Sequence, residues 1–131
     1  RNCDWSSDVC SSDLVGGITE SMKVAGWCES HYIDMMPHNP LGPICTAASI
    51  HFGASVPNFA WLETRESAAE NAGFTNDEII KSSHYMENAM YVVSKEPGLG
   101  ISVNEDYLKN SKFKQWDPPQ LERNDGSVTN W

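Results

Sequence analysis

The chain reads as an α/β protein built on a parallel sheet. Three features predict this: an amphipathic helical stretch, two short apolar runs after it, and a second helical stretch between those runs. Ile18, Met22, Ala25 and Cys28 recur at spacings of four, three and three, which puts them on one helical face ending near Glu29 or Ser30. The runs 32–36 and 59–62 have the length and composition of strands, and residues 44–54, rich in Ala and Ser, read as a helix between them. Strands alternating with helices imply βαβ units and therefore parallel pairing.

The first helix opens after Gly16-Gly17, with Thr19 expected as its N-cap and Glu20 placed to favour the positive helix end. Between the first strand and the second helix runs the loop Pro37-His38-Asn39-Pro40-Leu41-Gly42-Pro43. Each proline fixes a backbone φ and biases its predecessor towards extended conformations. Pro43 suits the first turn of a helix, where a missing N–H costs nothing. The loop thus presents one imidazole, His38, on a stiff turn at a strand end. Two readings stand side by side: a surface histidine in a Pro-rich turn, or a positioned proton-transfer group. Glu63 stands at the end of the second strand. Further on, residues 75–80 could start a short helix. Residues 90–93 and 101–104 read as strands around the turn Glu96-Pro97-Gly98-Leu99-Gly100, and 105–111 as a helical turn. Asp117-Pro118-Pro119 and Asp125-Gly126-Ser127 are turn-formers.

The bulk properties bound the partners. A chain of 131 residues carries 18 acidic and 9 basic side chains, a net charge of −9. That argues against nucleic acid, whose binding rests on clustered Lys and Arg. No apolar run approaches the roughly 20 residues that span a bilayer, and no secretory leader is visible. The expected compartment is the cytoplasm, with no membrane partner.

Residues 1–14 stand apart. They show no apolar periodicity, and residues 4–14 coincide with one reading frame of a widely used DNA-sequencing adapter. They are read as a non-native segment and excluded from fold reasoning. Cys3 and Cys10 then drop out, leaving Cys28 and Cys45 as thiols expected to be buried and unbridged. Without Arg1, Asp4, Asp8 and Asp13 the chain holds 8 basic and 15 acidic residues, still acidic at −7. The natural chain is expected to continue upstream.

With its parts in this order the chain resembles the enolase superfamily, and within it the sugar-acid dehydratases of the mandelate racemase subgroup, of the galactonate dehydratase kind. The residues that carry the likeness are Gly16-Gly17-Ile18-Thr19-Glu20, the loop 37–43, Asn58 followed five residues later by Glu63, Pro97-Gly98-Leu99-Gly100, and Asp125-Gly126-Ser127-Val128 with Trp131. The resemblance implies the C-terminal part of a modified TIM barrel, (β/α)₇β, which this chain is too short to complete. It divides the chain into 15–96, the last barrel strands and helices, and 97–131, a tail returning to a capping domain.

The implied reaction is abstraction of the proton α to a carboxylate, then loss of the 3-hydroxyl to give a 2-keto-3-deoxy acid, with Mg²⁺ stabilising the enediolate. His38 matches the family's base, and Glu63 the carboxyl that stabilises the intermediate. The resemblance places the aspartate that orients the base at Ser11, inside the non-native segment, and the Mg²⁺ ligands upstream. No metal site is expected among these residues. The partner is a small-molecule sugar acid and the parent a homo-oligomeric lyase. A racemase, an epimerase, another acid-sugar dehydratase or a non-catalytic carbohydrate-binding fragment are the alternatives. By itself the chain is expected to be inactive and poorly stable, because open parallel edges await missing strands.

Other residues read more plainly. His31 is a helix-end or surface residue, His51 core or surface, and His84 has no assignable partner. Glu66 and Glu70 are solvated carboxylates. Arg65 is a candidate for a substrate carboxylate. Trp27, Trp61, Trp116 and Trp131 are packing residues rather than a sugar platform.

Overall fold

The computed structural model describes residues 15–39, 41–64, 78–112, 115 and 122–127. The expectations for residues 1–14, Pro40, Arg65, Glu66, Glu70, residues 75–77, Trp116, the 117–119 turn, Val128 and Trp131 lie outside them. In chain order the elements are α1 (Ile18–Ser30), α2 (Pro43–Ser55), β1 (Ile80–Ser82), β2 (Tyr85–Glu87), β3 (Met90–Val92), β4 (Ile101–Val103) and α3 (Glu105–Asn110).

Helix α1 starts where expected but is capped differently. Its N-cap is Gly17, at φ 101° and ψ −179°, with no side-chain cap. Thr19 lies inside the first turn and does not cap. The Ser21 amide and hydroxyl both donate to the Gly17 carbonyl, at 3.0 and 3.1 Å. At the other end the Ile33 amide donates to Cys28 O (2.9 Å) and the Tyr32 amide to Glu29 O (3.0 Å). That is a Schellman closure with His31 as C-cap and Tyr32 in the left-handed region, at φ 57°. Tyr32 therefore ends the helix instead of opening a strand.

The buried face of α1 also differs from the periodicity. Ser21 and Ala25 are buried and Cys28 half-buried, whereas Ile18 and Met22 are 42% and 41% exposed. The small Ala25 side chain leaves room for Phe52 of α2 and for Met35, and on α2 Thr46, Ala47, Ser49, Ile50 and Phe52 are buried. Ala25, Met35 and Phe52 form the core, with Val24, Cys28 and Val56 around it. Cys28 and Cys45 are free thiols, half-buried rather than fully buried. Trp27 and Trp61 do not pack inside; they are 68% and 73% exposed. Helix α2 carries Pro43 in its first turn as the sequence predicts.

Parallel pairing is present but brief. Met35 and Phe59 form one parallel bridge. Its two bonds run from the Met35 amide to Asn58 O (2.6 Å) and from the Ala60 amide to Met35 O (2.9 Å). Pro37 follows two residues later and has no N–H to donate, so the next rung cannot form in register. The other strand pairs among the described residues are antiparallel. β1 pairs with β4, Lys81 opposite Ser102, a pairing that crosses the division expected at residue 97. β2 pairs with β3, Met86 opposite Tyr91. The runs near 90 and 101 thus pair with separate partners and not with each other, and Ile80 belongs to a strand instead of a helix end. The β2–β3 turn is Asn88-Ala89, both at positive φ (49° and 59°), the conformation of a two-residue hairpin.

His84 holds this region together and does have partners. Its Nδ1 accepts from the Ser94 amide (3.1 Å), so the proton sits on Nε2, which donates to Leu99 O (2.8 Å). Its ring meets His51 of α2 edge-on, centroids 5.1 Å apart. Gly100, at φ 64°, closes the same corner; a Cβ there would lie 2.8 Å from Ser83 Oγ. Asn104 caps α3 by accepting from the Tyr107 amide. In the tail, the Ser127 hydroxyl and amide donate to Asp125 Oδ1 at 2.6 and 2.9 Å, and hold that carboxyl below its ordinary range.

Tyr32 is 87% exposed and in a conformation that glycine adopts without steric strain, so Tyr32→Gly stabilises the chain by about 0.5–1 kcal/mol, read as a higher urea midpoint. The lowered Asp125 value means the ionised form is favoured in the fold. The turn's contribution is present at pH above the unfolded carboxyl's range and is lost as pH falls through the lowered folded value. In Ser127→Ala the carboxyl titrates at higher pH in a ¹³C NMR titration; an unmoved titration refutes the assignment.

Candidate functional site

His38 and Glu63 are brought together by what happens after the Met35–Phe59 bridge. In regular parallel pairing the Pro37 carbonyl would accept from the Leu62 amide. It accepts instead from the Glu63 amide, at 3.2 Å. One extra residue on the second segment is the signature of a bulge, and bulges re-aim side chains. Here the slip sets the Glu63 carboxyl level with the imidazole that follows Pro37. His38 Nε2 and Glu63 Oε2 are 3.8 Å apart, with side chains 34% and 53% exposed. That is too long for a hydrogen bond. With the ring protonated it is an ion pair worth at most about 1 kcal/mol. The pair therefore does little for stability, while its Nδ1 edge is buried in the fold. A half-buried imidazole beside a reachable carboxyl can take and return a proton.

The backbone around the pair is braced from behind. The Asn58 amide nitrogen donates to Ala25 O (3.2 Å) and Ile33 O (3.0 Å), which joins α1, the first segment and the second. Asn39, 0% exposed, donates to the Thr46 hydroxyl at 2.9 Å. Neither asparagine amide was singled out for this bracing from the sequence. The available signal was a polar residue between prolines with a threonine seven positions on, in a helix's first turn. Downstream, the Thr64 and Tyr91 hydroxyls are 2.9 Å apart and link the end of the second segment to β3.

The remaining candidates do not join this pair. His31 caps α1, and His51 and His84 meet each other beside the β1–β4 corner. Among the described residues no group of three or more His, Cys, Asp or Glu is placed to hold a metal ion. Glu63 alone offers too few oxygens for Mg²⁺, which takes six near-octahedral ligands. The described residues by themselves do not fit that ion. An open apolar cavity of about 440 Å³ lies between Ile18, Leu41, Ile44 and Ile80. It lacks the convergent polar groups that orient a ligand. Among the described residues no helix is long and apolar enough to cross a membrane.

Two helices packed beside a parallel bridge, with a histidine and a glutamate at the ends of the bridged segments, make this an α/β unit. The chain belongs to the enolase C-terminal domain-like family, whose model matches residues 6–107. It is 33% identical over 120 residues to D-galactonate dehydratase of Xanthomonas campestris, covering 88% of this chain and 31% of that protein. An enolase from Agrobacterium radiobacter, bound to sodium and L-malate, superposes with a TM-score of 0.74 at 26% identity, over 90% of this chain and 32% of that one. An enolase from Pantoea ananatis with bound D-gluconate and magnesium gives 0.59 at 28% identity, over 70% and 21%. The chain thus spans about a third of the length of the curated relatives it matches. The chain is thus part of the enolase superfamily.

The bulge makes a prediction. Pro37→Ala supplies the missing N–H and allows a regular rung. Amide protection should then move from Glu63 to Leu62 in hydrogen exchange, and the His38–Glu63 proximity should be lost. Continued protection at Glu63 would show that the proline is not what sets the slip.

Proposed function

We infer that this chain is the C-terminal portion of a sugar-acid dehydratase acting on aldonates of the galactonate kind, and that His38 is its base. The observation that carries the reading is the 3.8 Å approach of His38 Nε2 to Glu63 Oε2 at the ends of two paired segments. In this reading His38 Nε2 takes the proton α to the substrate carboxylate. Glu63, in its protonated form, donates a hydrogen bond to the enediolate oxygen as charge develops there. Loss of the 3-hydroxyl as water, then ketonisation, gives the 2-keto-3-deoxy acid. Magnesium, implied by the superfamily likeness, would stabilise the enediolate. Its ligands are assigned outside this chain, as is the aspartate that orients the base. Residues 15–96 are assigned to the barrel and 97–131 to the tail that returns to the capping domain. The parent is placed in the cytoplasm as a homo-oligomer.

A racemase or epimerase shares the first step and differs in returning the proton to carbon. Mandelate racemase/muconate lactonizing enzyme-like proteins are among the solved structures similar to this chain, one from Roseovarius at 35% identity. Product analysis separates the two.

The test uses the full-length parent with an acid-sugar library in D₂O. A dehydratase yields 2-keto-3-deoxy product from an aldonate, whereas an epimerase yields substrate deuterated at the α-carbon. His38→Asn should lower kcat by about 10²–10⁴-fold, and Glu63→Gln by about 10²-fold. Wild-type turnover in His38→Asn would remove His38 from the chemistry.

A further inference from the structure

Asn39 directly follows His38 and is wholly buried. Its amide nitrogen donates to Thr46 Oγ1 at 2.9 Å. Thr46 lies in the first turn of α2, where its amide donates to Gly42 O at 3.1 Å and its hydroxyl lies 3.4 Å from the same oxygen. The chain leaving His38 is therefore tied to the start of a helix. The chain entering His38 is tied as well, because Pro37 O accepts from the Glu63 amide. The histidine sits between two fixed neighbours.

The chemistry of Asn39 says what its tie is for. Asn39 Oδ1 is buried with no hydrogen-bond partner among the described residues. A buried acceptor in that state is destabilising, and an apolar side chain of similar size would not carry the penalty. What the amide supplies over such a side chain is one directional bond to Thr46. A directional bond next to a reacting group controls its placement, and a misplacement of about 1 Å can lower a rate about 10²-fold.

We propose that Asn39 and Thr46 form a latch that positions the His38 imidazole for proton transfer. Neither touches substrate; both act through His38. This rests on the reading of His38 as the base. In the full-length parent, Thr46→Val removes the acceptor at nearly constant volume. Its kcat should fall about 10–100-fold with KM little changed, and the His38 ring signals should move in ¹H–¹⁵N NMR spectra. Thr46→Ser keeps the hydroxyl and should restore both. An unchanged kcat in Thr46→Val overturns the latch. So does a lowered melting temperature with unmoved ring signals, which marks a merely structural bond. Wild-type activity in His38→Asn overturns the base assignment instead, so the two failures are distinguishable.

Discussion

The parallel rung between Met35 and Phe59 is the constraint on which the rest of the described structure depends. It contributes two backbone hydrogen bonds, together worth about 1–3 kcal/mol net. Its larger effect is to fix where Met35 lies. That side chain is 0% exposed, in one cluster with Ala25 of α1 and Phe52 of α2. Burying a methionine fully stabilises by about 1.5–3 kcal/mol, and here the gain requires both helices to lie on one side of the rung. Asn58 completes the arrangement by donating to α1 and to the first segment at once. Everything that matters to the candidate site is then set within four residues of the rung: Pro37 interrupts it, Glu63 slips by one place, and His38 follows.

Much of that was legible in the sequence, for physical reasons that can be named. Helix α2 announced itself through Pro43, a residue whose missing N–H and fixed φ suit only the first turn. The pairing of His38 with Glu63 was legible through the resemblance and through their places at the ends of two apolar runs. What was misread turned on size and on backbone. Apolar periodicity put Ile18 and Met22 inward, whereas the face of α1 that is buried carries Ser21 and Ala25. Thr19 looked like a cap because its hydroxyl could serve as one; Gly17 starts the helix because the backbone there is at φ 101°.

The hairpin at 85–92 was missed for a different reason. Its strands are three residues long, too short to show alternation, and its turn is Asn88-Ala89 where the recognisable signal would be Asn-Gly. Tyr32 hid the end of α1 in the same way, since a tyrosine at φ 57° gives no sign of a left-handed turn. His84 appeared unpartnered because its partners are backbone groups, the Ser94 amide and the Leu99 carbonyl. A sequence does not display the backbone atoms that a side chain will find.

The slip at Pro37 also bears on how such a site is specified. A regular two-stranded ladder alternates its side chains strictly, so a one-residue shift moves each of them to the other face. A proline at position 37 removes the donor that would enforce regularity, and it does so directly before the histidine. The motif Pro37-His38-Asn39 therefore carries three separate instructions: release the register, present the imidazole, and tie the chain down again through Thr46. Of the three side chains only the imidazole can both take and give a proton. The two beside it fix the backbone on either side, Pro37 through its carbonyl and Asn39 through its amide, so the register of the ladder and the placement of the ring are set by separate residues.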